Sequence, residues 1–438
     1  MTVREIALSL LDEYEAGDKY ANLALSSHLL DKLSAGERKF VTHLFYTAVE
    51  RKLTYDYYIC ALSGRSLDKI DKGVLNILRL GFAQLLGTDS VPSYAAVNET
   101  VSLCRGKGER AFVNGVLRAA VRAVEKGELP MPKREKNAAR YLSVKHSFPL
   151  WICKEFVSSF GEEEAEKLLV SINGAGYTDL TVNTCRIGRD EFLRKLREGG
   201  IEASPSLYSD IGVRIPYSVD VKELFGFCEG YFFVQDEAGA VSASALSPKP
   251  CDVIVDVCSA PGGKSFAAEV LAGGEAKIFA FDIHNSKLSL IEGGAKRLGF
   301  EKIAVECCDA REGKDTLFGK ADRVICDCPC SGLGVLGKKA DLRYRDSSKD
   351  AYLPDLQYEI LCRAKDYLKI GGEMIYSTCT LRECENRGVV KRFLDGHPGF
   401  CAVDFEVGAL SSNEGMLTLL PHVHSTDGFF IAKLKRIK

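Results

Sequence analysis

Apolar side chains in the first 125 residues recur at three- and four-residue spacing, which is the spacing of one face of an α-helix. The pattern is clearest at residues 3–14, 40–49 and 70–78. Helix-breaking residues punctuate the helical pattern, and they are Gly64, Gly87, Pro92 and Gly106. Because no strand pattern interrupts these stretches, the sequence predicts a compact all-α bundle over residues 1–140.

The region that follows mixes the helical and the strand periodicities. Residues 127–134 contain two prolines and are predicted to form a linker. Beyond the linker, helical patterns alternate with short strand-like runs; the helical patterns are at 162–170 and 189–197, and the strand-like runs at 179–183, 213–215 and 231–234. The sequence therefore predicts a small α+β module over residues 141–235.

A regular alternation of strands and helices begins after a second proline-marked joint at residues 245–251. Short, continuous apolar runs occur at 253–257, 277–281, 303–305, 324–326 and 374–377. Helical patterns separate them, for example at 287–298 and 356–368. Buried strands that alternate with helices are typical of a parallel, doubly wound sheet, so residues 236–438 are predicted to form an α/β, Rossmann-like domain.

Charge is distributed unevenly along the chain. The 438 residues carry 58 Lys and Arg against 60 Asp and Glu, a net charge of −2 that argues against a uniformly basic nucleic-acid-binding protein. Residues 101–140 nevertheless hold ten basic and four acidic side chains. On charge alone an ordinary solvated surface is favoured over a phosphate-binding surface. The candidate phosphate contacts, called the basic strip below, are Arg105, Lys107, Arg110, Arg118 and Arg122.

The chain contains 16 cysteines, which a small secreted protein would use in disulfides. This chain is large, its first residues lack the apolar stretch of a signal peptide, and no run of about 18 apolar residues predicts a membrane span. We therefore expect a cytoplasmic protein with reduced thiols, most of them small core residues. The C-x-C-x-C spacing and the lack of a nearby histidine predict no metal site.

The first predicted α/β strand leads into the glycine-containing loop DVCSAPGGKS, residues 256–265. Ligands of open α/β sheets bind at the carboxyl ends of the strands, and Gly262 and Gly263 allow a close backbone approach there. Asp282 and Asp309 follow the next two strands, where they suit a ribose diol and an adenine amine. The glycines alone would fit a simple turn. The loop matches neither a P-loop nor the G-x-G-x-x-G pattern.

Two cysteines follow two later strands, at Cys330 in DCPCSG and at Cys379 in YSTCT. A thiolate that adds to carbon 6 of a cytosine makes carbon 5 nucleophilic enough to take a methyl group. A second thiol or another base then assists removal of the carbon-5 proton, and an acid such as Asp327 holds the base edge. The alternative is that both cysteines are small buried residues.

Four motifs together resemble the RNA 5-methylcytosine methyltransferases of the Nop2/Sun/RsmB group: DVCSAPGGKS, DCPCSGLG, YSTCT and TDGFFIAKL. The resemblance covers roughly residues 230–438, and the helical region 1–140 resembles a NusB-like RNA-binding domain. The group's properties imply methylation of carbon 5 of a cytosine in 16S ribosomal RNA, with S-adenosylmethionine as methyl donor. The implied partner is 16S ribosomal RNA, free or in an early small-subunit assembly. We expect a monomer without a membrane partner.

The resemblance also implies roles for individual residues. Cys379 would be the nucleophile, Cys330 would assist product release, and Asp327 would lie near the reacting centre. The implied cofactor-binding residues are Cys258, Ser259, Ala260, Pro261, Gly262, Gly263, Lys264, Asp282, Asp309 and Asp327. Lys338 and Lys339 lie in a loop expected to contact RNA.

The chain departs from the family pattern at three places, Gly239, Cys328 and the segment 338–340, and the last puts substrate detail in doubt. Three alternatives remain open at this point. A DNA cytosine methyltransferase would use Cys330 as its nucleophile, a related enzyme would act on another RNA, and a non-catalytic NusB-like factor would only bind RNA.

Overall fold

The computed structural model describes residues 1–17, 29–88, 91–174, 176–216 and 219–438. These residues form two compact units. The first contains residues 1–173 together with 339–345, and the second contains residues 174–338 and 346–438. Among the described residues, no helix is both long and apolar enough to cross a membrane.

The first unit is helical over its whole described length, as the periodicity predicts. Its helices are α1 (Val3–Glu15), α2 (Ala35–Glu50), α3 (Lys52–Ser63), α4 (Lys72–Gly87), α5 (Ser93–Ser102), α6 (Lys107–Lys126), α7 (Ala138–His146), α8 (Leu150–Phe160) and α9 (Glu162–Ile172). Reciprocal capping hydrogen bonds start α1 at Thr2 and Glu5 and start α2 at Ser34 and Glu37. The buried faces of α1 to α6 share one apolar core, which includes Leu10, Phe45 and Leu78.

A short segment from the later part of the sequence, residues 339–345, packs in this first unit. Its Tyr344 hydroxyl donates a hydrogen bond to the Val49 carbonyl at 2.8 Å. The guanidinium of Arg343, 1% exposed, lies 4.2 Å from the centre of the Phe148 ring. Helices α7 to α9 also belong to this unit, whereas the strands of the predicted 141–235 module belong to the second.

The second unit begins with a small antiparallel sheet. Its strands are β1 (Tyr177–Val182), β2 (Ser204–Pro205), β3 (Gly212–Pro216) and β4 (Phe232–Val234), in the order β2-β3-β1-β4. Helix α10 (Arg189–Glu198) buries Phe192 and Leu196 against the apolar side chains of this sheet. The mixture of helix and strand predicted here is therefore present.

The large sheet has a parallel centre, as predicted. Strands β5 (Val253–Asp256), β6 (Lys277–Asp282), β7 (Ile303–Cys307), β8 (Ala321–Asp327) and β9 (Leu368–Thr378) pair in the order β9-β8-β5-β6-β7. The accompanying helices are α11 (Glu237–Leu246), α12 (Gly263–Leu271), α13 (Asn285–Leu298), α14 (Leu353–Ala364) and α15 (Arg387–Gly396).

The sheet is mixed rather than wholly parallel, because β14 (Phe429–Arg436) runs antiparallel beside β9. Strands β10 (Phe400–Ala402) and β13 (Met416–Leu419) pair with β14, while β11 (Glu406–Val407) and β12 (Leu410–Ser411) form a separate ribbon before the short helix α16 (Pro421–His424). Lys433 interrupts the apolar pattern of β14, but it is buried and ion-paired to Glu373 at 3.0 Å. That pairing explains how a lysine is accommodated inside the strand.

Candidate active site

The candidate site lies where β5, β8 and β9 end, at the carboxyl edge of the parallel sheet. These strands deliver Asp256, Asp327 and Cys379, and all three line one cavity of about 220 Å³. The glycine loop contributes the residues from Cys258 to Lys264 except Gly262, which lies behind the surface. This is the position at which open α/β sheets bind their ligands.

The glycine loop is held in shape by backbone hydrogen bonds. The Ser259 amide donates to the Phe281 carbonyl at 2.7 Å, and the Gly262 amide donates to the Ser259 carbonyl at 2.6 Å. Gly262 has a φ of 109°, and a Cβ there would lie 2.4 Å from the Phe266 ring. A side chain is therefore excluded at this position for both conformational and steric reasons.

Asp256 is a buried acid that the sequence reasoning did not include among the site residues. Its carboxylate accepts a hydrogen bond from the Ser265 hydroxyl at 2.7 Å, which joins the end of β5 to the start of α12. Burial raises the pKa of Asp256 to about 7. Its location at the very end of an apolar strand was the available signal.

Asp282 and Asp309 do not line this cavity. Asp282 is buried at the end of β6, and its carboxylate accepts hydrogen bonds from the amides of His284 at 2.9 Å and Ala260 at 3.3 Å. Asp309 is paired with Arg311 at 2.6 Å, and hydrogen bonds from Arg311 lower its pKa. Asp282 thus supports the glycine loop, while Asp309 is partly buried and ion-paired to the exposed Arg311.

Lys264 and Asp327 form an ion pair in the cavity wall. The Lys264 ammonium donates to Asp327 Oδ2 at 2.6 Å, and the Ser377 hydroxyl donates to Oδ1 at 2.7 Å. Burial alone would lower the pKa of Lys264, but Asp327 outweighs it and raises that pKa. The ammonium also lies 5.0 Å from the centre of the Phe429 ring. The pair offers a donor and an acceptor beside the cavity.

Cys330 and Cys379 are brought together, with their sulfur atoms 3.3 Å apart. Cys379 lines the cavity, and Cys330 is not among the lining residues. The hydrogen bond to Cys379, together with burial, raises the pKa of Cys330 well above its usual value. The raised pKa favours the protonated form of Cys330.

The remaining wall comes mainly from two segments to whose residues the sequence analysis gives no site role, together with Val335 from the loop after β8. Gln235 and Asp236 come from VQDEA, and Asp427 and Phe429 come from TDGFF. Gly239 also lines the cavity, and a Cβ there would lie 3.2 Å from the Gln235 side chain. A small residue is therefore suited to this position.

The two lysines expected to contact RNA lie in different surroundings. The Lys338 ammonium is ion-paired to Asp236 and, at 3.0 Å, to Asp427, and its side chain is 34% exposed. Burial would lower its pKa, but the two carboxylates raise it. Lys339 is exposed and belongs to the first unit. Lys338 is therefore already neutralised by protein carboxylates.

The five side chains of the basic strip are all exposed. Four of them lie on α6, and Arg105 precedes that helix. The Arg118 guanidinium donates to the Asn114 side chain at 3.0 Å, one turn earlier on the same helix. Among the described residues, no group of three or more His, Cys, Asp or Glu side chains is arranged to hold a metal ion.

Comparison with known proteins matches three family models to successive parts of the chain. Residues 1–122 match the NusB family, residues 148–222 match the ferredoxin-like domain of RsmF/B-like methyltransferases, and residues 243–435 match the 16S rRNA methyltransferase RsmB/F model. Among solved structures, the chain resembles that of PH0851, with a TM-score of 0.76, 27% identity and coverage of 95% of this chain and 94% of that one. These matches confirm the predicted helical, α+β and Rossmann-like parts.

Three relatives that match over their full length share one name. The chain is 34% identical to a probable ribosomal RNA small subunit methyltransferase B of Synechocystis, over 100% of both chains. It is 32% identical to the probable enzyme of Bacillus subtilis over 99% of both chains. It is 30% identical to the Pseudomonas putida enzyme over 100% of this chain and 99% of that one. The chain therefore belongs to the ribosomal RNA small subunit methyltransferase B family.

Proposed function

We propose that this enzyme methylates carbon 5 of a cytosine in 16S ribosomal RNA, with S-adenosylmethionine as methyl donor and Cys379 as nucleophile. One observation carries the proposal. Two thiols stand 3.3 Å apart after adjacent strands, and one of them, Cys379, lines the cavity together with Lys264 and Asp327. A thiol pair of this kind suits a reaction that makes and later breaks a carbon–sulfur bond.

The cavity suits a cationic methyl donor with a nucleoside part. Four aspartates line it, Asp256, Asp327, Asp236 and Asp427. Two lysines, Lys264 and Lys338, pair with three of them, so the acids still outnumber the bases and favour a positive charge. The loop from Cys258 to Lys264 presents backbone next to the N-terminus of α12, and Phe429 and Pro261 add apolar surface. S-adenosylmethionine would supply an electrophilic methyl group on a sulfonium here.

The attack step follows from the placement of Cys379. Its thiolate adds to carbon 6 of the cytosine, and the electron pair of the carbon 5–carbon 6 double bond moves toward carbon 5 and N3. The Lys264–Asp327 pair lies where it can hold the base edge and deliver a proton to N3 as charge develops. The Cys330 thiol donates to the Cys379 sulfur and so stabilises the thiolate before attack. Carbon 5 then takes the methyl group.

The release step uses Cys330. Once the Cys379 sulfur is bonded to carbon 6, the hydrogen bond that keeps the proton on Cys330 loses its anionic acceptor, and that proton leaves to water in the pocket. The Cys330 thiolate then removes the proton from carbon 5. The electron pair of the C–H bond restores the double bond, and the carbon–sulfur bond breaks to return Cys379 as a thiolate. The proton on N3 returns to the Lys264–Asp327 pair, which leaves a neutral methylated base.

RNA recognition is assigned to the helical NusB-like domain predicted over residues 1–140, and within it to the basic strip. Exposed arginines and lysines along one helix suit contacts to phosphates, which give affinity without sequence specificity. The target cytosine must leave its stack to meet Cys379, so a flipped or single-stranded site is required. We assign a monomer acting on free 16S ribosomal RNA or an early small-subunit assembly.

Covalent trapping tests the nucleophile. RNA that carries 5-fluorocytosine cannot lose a proton from carbon 5, so the adduct persists on a denaturing gel. We expect Cys379→Ala to abolish the adduct, and Cys330→Ala to retain it and also to accumulate adducts on ordinary RNA. An adduct retained in Cys379→Ala but lost in Cys330→Ala would overturn the proposal and favour the DNA-type mechanism. Bisulfite sequencing of ribosomal RNA from cells with and without the protein would identify the cytosine.

A further inference from the structure

A buried polar cluster adjoins the two thiols on the side away from the cavity. It consists of Ser331, Gln357, Tyr376, Thr380 and Glu385, which come from β9, α14 and the loops after β8 and β9. All five side chains are buried, and Glu385 is 0% exposed. The proposed reaction gives none of them a role. A buried carboxylate next to a pair of thiols needs a physical reason, because burial of a charge is costly.

One oxygen of Glu385 fixes the loop that carries Cys330. Its Oε2 accepts a hydrogen bond from the Ser331 amide at 2.8 Å and another from the Gln357 side-chain amide at 3.0 Å. The Gln357 amide also donates to the Pro329 carbonyl at 3.0 Å. The backbone is therefore held on both sides of Cys330, through a single carboxylate and the amide bound to it.

The same cluster ties the Cys330 loop to the Cys379 loop. The hydroxyl groups of Ser331 and Thr380 are 2.5 Å apart, and each belongs to the residue that directly follows a thiol. The Tyr376 hydroxyl donates to the Glu385 carbonyl at 2.5 Å, which anchors the turn that carries the carboxylate. Hydrogen bonds outside the cavity thus connect the two segments whose sulfur atoms lie 3.3 Å apart.

The second oxygen of Glu385 is only partly paired. Among the described residues, Oε1 is buried and makes no hydrogen bond, and the Arg382 guanidinium lies 3.6 Å from it. Glu385 therefore places a carboxylate in the interior next to the two thiols, at a cost in desolvation that this pairing only partly offsets. Its negative charge also contributes to the raised pKa of Cys330, after the Cys379 hydrogen bond and burial.

We infer that Glu385 is a positioning residue, which holds the Cys330 thiol against Cys379 so that the methylated adduct can be resolved. This inference rests on the proposed function, because it assigns to Glu385 a role in the release step. Substitution of Glu385 should therefore slow release much more than attack. Attack gains only the hydrogen bond from Cys330 to the Cys379 thiolate, whereas release cannot proceed unless Cys330 lies within reach of carbon 5.

The test measures attack and release separately in Glu385→Ala, Glu385→Gln and the wild-type enzyme. Adduct formed on 5-fluorocytosine RNA reports attack, and adduct that accumulates on ordinary RNA reports slow release. We expect Glu385→Ala to retain the fluorocytosine adduct, to accumulate adduct on ordinary RNA and to turn over about 10–100-fold more slowly, because small displacements of a reacting group have effects of this size. The glutamine keeps an oxygen acceptor and should restore most of the turnover.

Glu269→Ala is the matched control, since Glu269 is also a buried glutamate with one unbonded oxygen but lies on α12 without a contact to either thiol segment. It should change thermal stability without accumulating adduct. If Glu385→Ala does not fold, Ser331→Ala removes only the hydroxyl bond to Thr380 and should slow release in the same direction by a smaller factor.

Two results would overturn the inference. One is a Glu385→Ala enzyme that releases product at the wild-type rate, and the other is a folded variant in which attack and release fall in parallel. A fluorocytosine adduct that survives in Cys379→Ala would instead refute the proposed function itself. The two failures are therefore distinguishable in one set of assays.

Discussion

The thiol site of the second unit and the basic strip of the first unit use charge in opposite ways. In the thiol site, Asp327 is held by hydrogen bonds from Lys264 and Ser377, so its oxygen atoms have fixed positions. In the basic strip, the cationic groups are exposed, and Arg118 is bonded only to its own helix. A charge in a fixed position stabilises a reacting group through its exact geometry. Exposed charges attract RNA through their summed electrostatic potential. A single substitution should therefore reduce activity strongly in the thiol site and reduce RNA affinity only slightly in the basic strip.

The largest effect is expected for Asp327→Asn. The asparagine keeps the shape but removes the anion that pairs with Lys264, so the base edge loses a fixed charge during attack. Methylation should fall by about 100–1000-fold, the usual range for loss of one preorganised electrostatic group. Methyl transfer is measured with labelled S-adenosylmethionine. Calorimetry should show that the cofactor still binds but with lower affinity, and the fall in methylation should persist at saturating cofactor.

Asp322→Asn is a control on the same strand, since Asp322 lies at the opposite end of β8 and pairs with Lys369 at 2.8 Å. It should leave methylation unchanged. Wild-type rates in Asp327→Asn would contradict the proposed base contact. Absence of cofactor binding to the wild-type enzyme would favour a factor that only binds RNA.

A smaller effect is expected for reversal of two charges of the basic strip, Arg118→Glu with Arg122→Glu. If both contact phosphates, RNA affinity should fall on the order of tenfold at low salt, and the slope of log affinity against log salt should become shallower by about 1.4–1.8. Filter binding at several salt concentrations measures both quantities, and covalent trapping at saturating RNA should be unaffected.

The control is Lys32→Glu with Lys39→Glu, which makes the same change in charge at two exposed lysines of the first unit that lie outside the basic strip. This control should alter the salt slope much less. An equal change in both double variants would mean that the strip is an ordinary solvated surface, which is the alternative that charge alone favours.

The sequence predicts the fold and the centre of the site better than it predicts the other residues of the cavity. Helical periodicity and the positions of Cys330, Cys379 and Asp327 at strand ends predict the fold and the centre of the site, because these features repeat or lie in compact motifs. Asp256, Asp427 and Phe429 are not assigned as site residues, since each resembles an ordinary core or turn residue until the strands bring it to the cavity. The role of Lys338 is also hidden, because its partners Asp236 and Asp427 are 102 and 89 positions away. Long-range pairing of single charges has no periodic signal.

The buried acids of the second unit should also affect how the free energy of unfolding depends on pH. Asp256 is the clearest case. Its pKa is raised to about 7 by burial, whereas an unfolded aspartate titrates near 4. Between these two values the native state holds a proton that the unfolded state has lost, so this group makes stability fall as pH rises from about 4 to 7. Asp256→Asn should remove that contribution and make the slope less negative by up to about 1.4 kcal/mol per pH unit, a tenfold change in the unfolding constant. Urea unfolding at several pH values measures the slope. Asp309→Asn is the comparison, because the pKa of the partly buried Asp309 is lowered rather than raised and this variant should not make the slope less negative. Equal slopes in wild type and Asp256→Asn would show that Asp256 holds no extra proton in the native state.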